Sequence, residues 1–143
     1  MNYKFYGCEK SEVYPINEKY KGVKNQFDLY DKLDKIWCEY SCAPRLREKW
    51  STQNKTLGQC SITSFLIQDI FGGEVYGVPL EGGGFHCYNV VNGVKFDLTS
   101  EQFTEKLCYD NLYPQSREQH FSDSEKFERY CYLKTQLEKV LGV

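Results

Sequence analysis

The sequence predicts an α+β fold, with helices packed on a small antiparallel sheet. Two observations carry the prediction. Apolar residues recur at helical spacing in the segments before and after the middle of the chain, and the middle holds a short hairpin around Asn92-Gly93. Helices, then strands, then helices favour segregated α and β layers over alternating βαβ units. A third observation sets the scale. The 143 residues suit one domain, 1–143, and 12 Tyr, 9 Phe and 2 Trp are too many aromatics for a disordered chain. A chain of this size buries roughly two-thirds of its unfolded surface.

The elements follow in order. Residues 1–25 are polar and aromatic, with turn signals at Gly7, Pro15 and Gly22, and give no firm element. From Gln26 to about Tyr40, the spacing of Phe27, Tyr30, Leu33, Trp37 and Tyr40 predicts a helix ended by Cys42-Ala43-Pro44. A short helical turn is expected at 45–50 and a polar loop at 51–58. A second helix starts at Gln59 or Cys60, buries Ile62, Phe65, Leu66 and Ile70, and stops at Gly72-Gly73. A strand over 74–80 and a Gly82-Gly83-Gly84 loop lead into the hairpin. Its arms are 85–91 and 94–98, and its two-residue turn favours type I′ because both central residues need positive φ. Residues 99–103 resemble a helix start, with Ser or Thr as cap. From about Ser122 to Leu141 a charged amphipathic helix buries Tyr130, Leu133, Leu137 and Leu141.

Charge and composition exclude several functions. Eighteen Lys and Arg against 20 Asp and Glu leave a net charge of −2, so no basic excess exists to bind a phosphate backbone. No apolar run approaches the roughly 18 residues of a membrane span, and the first 20 residues lack the apolar block of a secretion signal. The seven cysteines therefore read as reduced cytosolic thiols rather than a disulfide framework. Cys38, Cys42, His86 and Cys87 are conceivable zinc ligands, but Cys38 falls inside the predicted helix and the close pairs of a structural zinc site are missing. Gly82-Gly83-Gly84 lacks the Lys-Ser/Thr of a phosphate loop. No metal and no cofactor is expected.

The hairpin turn also fixes a register. It pairs Val91 with Val94, Val90 with Lys95, Asn89 with Phe96 and Tyr88 with Asp97, which sets His86 opposite Thr99. His86 and Asp97 then share a face as diagonal neighbours, about 7 Å apart along the backbone, close enough for imidazole to meet carboxylate. A carboxylate there holds one ring nitrogen and leaves the other as a base. Cys60, where the Gly58-Gln59 loop enters a helix, is the nucleophile candidate, because a helix start favours thiolate. Its backbone N–H, with Gln59 as a second donor, is suited to hold an oxyanion.

Gly58-Gln59-Cys60 is similar to the Gly-Gln-Cys that carries the nucleophile of transglutaminases. His86-Cys87-Tyr88-Asn89, Gly93 and Phe96-Asp97-Leu98-Thr99 resemble the His and Asp hairpin of the transglutaminase-like core, in the same chain order. The stretch from Trp50 to Phe103 resembles the YunG-like proteins, an uncharacterised bacterial family, through those motifs together with Gln68-Asp69, Gly72-Gly73 and Gln102-Phe103. Two features depart from the large transglutaminases: Ser61 stands where Trp usually follows the Cys, and the Cys–His and His–Asp separations are shorter. The resemblance implies a transglutaminase-like or papain-like fold and a Cys60, His86, Asp97 triad more directly than it implies a reaction.

Each residue has a plainer reading. A cysteine is most often inert packing, His86 a half-buried sheet residue, and Asp97 a surface carboxylate beside Lys95. Cys87 reads as core, on the strand face opposite His86. Tyr88 either covers the His–Asp pair or is a sheet aromatic, Trp50 either walls the site or packs, and Asp69 caps or salt-bridges at a helix end. The functional expectation is a cytoplasmic cysteine-dependent acyl-transfer enzyme acting on a peptide or small amide, with no nucleic-acid or membrane partner. The alternative is a non-catalytic binding or structural module of the same fold.

Overall fold

A computed structural model of the protein describes residues 2–110 and 112–143. The architecture is α+β. The helices are α1 (Gln26–Asp34), α2 (Cys60–Phe71), α3 (Arg117–Phe121) and α4 (Ser124–Leu141). The strands are β1 (Glu74–Pro79), β2 (Phe85–Val91), β3 (Val94–Phe96) and β4 (Tyr113–Pro114), paired antiparallel in the order β3-β2-β1-β4. Helix α2 packs on β2, and α4 packs on α2. The main core lies between these layers. Ile62, Phe65, Leu66 and Ile70 of α2 meet Val75, Cys87, Val91 and Phe96 of the sheet and Leu133 and Leu137 of α4. Alternate residues of the sheet put Val78 and Tyr88 on the other face, in a smaller cluster with Tyr109.

The hairpin turn behaves as its residues require. Asn92 and Gly93 have φ of 50° and 78°, and the turn sets Val91 against Val94, Val90 against Lys95 and Asn89 against Phe96. Pairing then stops. Asp97 leaves β2 and bridges Tyr6 instead, its N–H donating to the Tyr6 carbonyl at 3.0 Å. The expected Tyr88–Asp97 and His86–Thr99 pairs do not form, because the amino-terminal segment supplies a closer backbone partner. That segment, without a predicted element, is packed in. Phe5, Val13, Tyr20 and Val23 are buried, and the buried Gln26 side chain accepts from Val13 N (2.8 Å) and donates to Ser11 O (2.8 Å).

Two helix expectations are corrected. The first helix ends at Asp34, short of residue 40. Beyond it, Trp37 turns inward and donates its indole N–H to Thr63 Oγ1 at 3.0 Å, while Ser41 Oγ accepts from Cys38 N at 3.0 Å. These tertiary bonds outweigh a continuing apolar stripe. The last helix stands as expected, as α4 over Ser124–Leu141, with the short α3 before it. The Asp123 carboxylate accepts from the backbone N–H groups of Glu125 and Lys126 and starts α4 afresh after α3. Residues 44–49 and 100–102 are 3₁₀ turns, so the expected helix near 99–103 is a single turn. At the end of α2, Asp69 pairs with Arg117 at 2.7 Å and accepts from the Tyr130 hydroxyl.

Candidate active site

Local constraints place Cys60. Gly58 has φ of +72°, and a Cβ there would lie 2.6 Å from Cys42 Sγ and 2.8 Å from Ala43 N, so only glycine lets this loop pass against residues 42–43. Ala43 N donates to Gly58 O at 3.0 Å and closes the contact. Gln59 is fully buried and donates its amide Nε2 to Cys38 O at 3.1 Å. Cys60 follows as the first residue of α2. This helix start has no side-chain cap, so its first N–H groups and the positive end of its dipole are left for whatever occupies the space in front. That space is a cleft of about 680 Å³, lined by Cys60, Ser61, His86, Phe103, His120 and Lys126 among others.

Strand β2 delivers His86, which is 1% exposed. Its Nε2 donates to Asp97 Oδ2 at 2.6 Å. The Tyr109 hydroxyl donates to the same oxygen at 2.6 Å, and Thr99 N (3.1 Å) and Thr99 Oγ1 (3.2 Å) donate to Oδ1. Four donors thus fix a buried carboxylate, which leaves it little freedom to swing away from the imidazole. With Nε2 held by Asp97, Nδ1 is the nitrogen available to Cys60, which lines the same cleft. Phe103 stands edge-on to the imidazole (ring centroids 4.7 Å apart, 86°), closing one side.

The electrostatics follow from these contacts. The Cys60 thiol is held well below its ordinary pKa, first by the hydrogen bond from the Cys87 thiol and then by the charge and hydrogen bond of His86, against the effect of burial. The buried Cys87 thiol is pushed up, because it serves as donor to Cys60. Burial works against a charged His86, but Asp97 and Cys60 outweigh it and raise its pKa to about 10. The arrangement can therefore hold an imidazolium–thiolate pair with a carboxylate behind it.

Cys60, His86 and Asp97 come together. The other three residues named from the sequence do not line the cleft. Gln59 turns inward, its amide committed to Cys38 O. Tyr88 lies fully buried among Val78 and Tyr109, its hydroxyl donating to Tyr109 O at 3.2 Å. Trp50 donates its indole N–H to Lys55 O at 3.0 Å within its own loop. Sequence reasoning passed over Tyr109, Phe103 and His120. Thr99 was legible, since a hydroxyl two residues after an Asp commonly closes a local turn with it. Nothing in the sequence ties Tyr109 to Asp97. His120 is the only other histidine in the sequence, but its polar segment gives no sign that it reaches the site. It sits on α3 with Nε2 2.8 Å from Gln115 Oε1 and 3.9 Å from Cys87 Sγ.

Fold and site together define an α+β protein in which a cysteine at a helix start meets a strand-borne His–Asp pair. The chain belongs to the YunG protein family, which matches residues 25–142 and so extends well beyond the motif region into α1 and α4. It is similar to the uncharacterized protein YunG of Bacillus subtilis (strain 168), with 36% identity over 102 residues that span 71% of this chain and 82% of that protein. No solved structure matches the chain. Among the described residues, no helix is long and apolar enough to cross a membrane, and no group of three or more His, Cys, Asp or Glu side chains is arranged to hold a metal ion.

Proposed function

We propose that the protein is a cysteine-dependent acyl-transfer enzyme with a core of the transglutaminase-like or papain-like type. The observation that carries this reading is Cys60 at an uncapped helix start, facing a cleft that it shares with His86, whose imidazole is hydrogen-bonded to Asp97. Cys60 thiolate attacks the carbonyl of an amide or ester. The backbone N–H of Cys60 stabilises the oxyanion, and the Gln59 side chain, bonded to Cys38, takes no part. His86 gives its Nδ1 proton to the leaving amine or alcohol as the tetrahedral species collapses to a thioester. Water or an amine, deprotonated by His86, then attacks the thioester and releases Cys60. Asp97 keeps the Nε2 proton in place throughout and stabilises the imidazolium.

The test is site-resolved alkylation with limiting iodoacetamide near pH 6, mapped by mass spectrometry. An ordinary thiol, with a pKa of about 8.5, is almost wholly protonated there. Cys60 is expected to react fastest of the seven, and His86→Ala to remove its advantage. Cys38, also held below its ordinary pKa by hydrogen bonds from Ser41 and Tyr132 despite partial burial, is the internal control, because its rate should not depend on His86. If Cys60 reacts no faster than the buried or exposed remainder, the enzyme reading falls and a non-catalytic module takes its place.

A further inference from the structure

The cleft also carries a cation that has no counter-charge among the described residues. Lys126, on the first turn of α4, is half-buried and lines the cleft that holds Cys60. It also lines an adjoining cavity of about 520 Å³ that runs past Phe85 and Tyr113. Among the described residues no carboxylate lies within ion-pair distance of it. The two acids nearby are already engaged. Asp123 caps α4, and Glu125 accepts from Arg129 at 2.7 Å and Arg47 at 3.4 Å. The Cys60 thiolate has its own cation in His86.

Lys126 is nonetheless held in place. Its Nζ donates to His120 Nδ1 at 3.0 Å, so a neutral imidazole fixes the ammonium without cancelling its charge. The other nitrogen of that ring lies 3.9 Å from Cys87 Sγ. The His120 ring therefore stands between Lys126 and the Cys87 thiol, and Lys126 and Cys60 line the same cleft. Arg45 lines both cavities at their exposed rim and, among the described residues, makes no ion pair. A half-buried cation with its position fixed and its charge unmatched is suited to meet an anion brought by the substrate.

Building on the acyl-transfer reading of Cys60, we propose that Lys126 forms an anion subsite. The acyl donor is then a molecule that bears a carboxylate a few bonds from the carbonyl Cys60 attacks. Lys126 binds that carboxylate, and Arg45 draws it in from the rim.

The test uses two probes of nearly equal shape on the full chain: N-ethylmaleimide and its carboxylate counterpart, 3-maleimidopropionate. Modification of Cys60 is followed by mass spectrometry. The readout is the ratio of the two rates on the same variant, which cancels any change in the thiol itself. The carboxylate probe is expected to react about five-fold faster relative to the neutral one, an advantage that shrinks in high salt. Lys126→Gln should bring the ratio down to about that of the exposed Cys108, and Lys126→Arg should restore it. A ratio that Lys126→Gln leaves unchanged overturns the subsite. A Cys60 slow toward both probes is a different failure, that of the activated nucleophile.

Discussion

His86 and His120 both line the cleft, one coupled to Cys60 and the other 3.9 Å from the Cys87 thiol, and their surroundings treat the imidazole in opposite ways. His86 is the more deeply buried, which alone would strip its proton, yet Asp97 and then Cys60 raise its pKa to about 10. Among the described residues, His120 has no carboxylate partner. Burial lowers its pKa, Lys126 lowers it further, and the Cys60 charge opposes them only in part. Depth of burial alone does not decide the charge state. At His86 a carboxylate overrides burial and makes the ring a cation, whereas at His120 burial, reinforced by an ammonium, keeps the ring neutral. One imidazole is thereby equipped to transfer a proton and the other to hold a cation in place.

The contrast can be broken most severely at Asp97. Asp97→Asn should give His86 the character of His120, with its pKa dropping below 6.5 in an NMR titration. Cys60 alkylation at pH 6 should then slow by about 100-fold, the scale set by the thiolate fraction of an ordinary thiol. The variant should also lose about 3–5 kcal/mol in urea unfolding, because it removes one partner of a buried charge pair. An unmoved His86 titration would sink this account. Next in size is Cys60→Ser. Removing the thiolate should lower the His86 pKa by about one unit. A shift of His86 in the other direction would mean that the thiol carries no negative charge in the native protein.

Tyr109→Phe sharpens the comparison at the same histidine. It deletes one of two bonds to Asp97 Oδ2 but keeps the ring that stacks on Tyr6 at 3.7 Å. About 1.5 kcal/mol of stability should go, with a smaller loss of Cys60 reactivity than in the Asp97 variant. The smallest effect is at the other histidine. Lys126→Gln should raise the His120 pKa while leaving it below 6.5, since burial remains the larger cause. An NMR titration of the two histidines in one spectrum checks both rings together.

What the sequence revealed tracks how local each determinant is. The start of α2 and the register of the hairpin were legible because each rests on a few adjacent residues: Gly58 to Cys60, and Asn92-Gly93. The buried seam of α4 was legible at Tyr130, Leu133 and Leu137, because it repeats at helical spacing within one element, and Leu141 at its end is half-buried. His86 and Asp97 were paired from the register, and they do meet, though by another route. The strand ends at Phe96, and Asp97 is turned by Tyr6 and Thr99 rather than carried on in the ladder. Tyr109, Phe103 and His120 lie on segments without periodicity, brought in by contacts between distant parts of the chain. Gln59 misled for a related reason. Its place beside Cys60 suggested a donor at the cleft, but a buried carbonyl at Cys38 claims the amide.

The strand-like contact of Tyr6 bears on how this family should be handled at the bench. Tyr6 N donates to Ser100 Oγ at 2.7 Å, its carbonyl receives Asp97 N, and its ring lies on Tyr109. The family match begins only at residue 25. A gene trimmed to the matched region would yield a polypeptide with every triad residue present and the brace behind the aspartate gone. An assay of such a truncated protein would report on a loosened aspartate, and a negative result from it would say little about the intact chain.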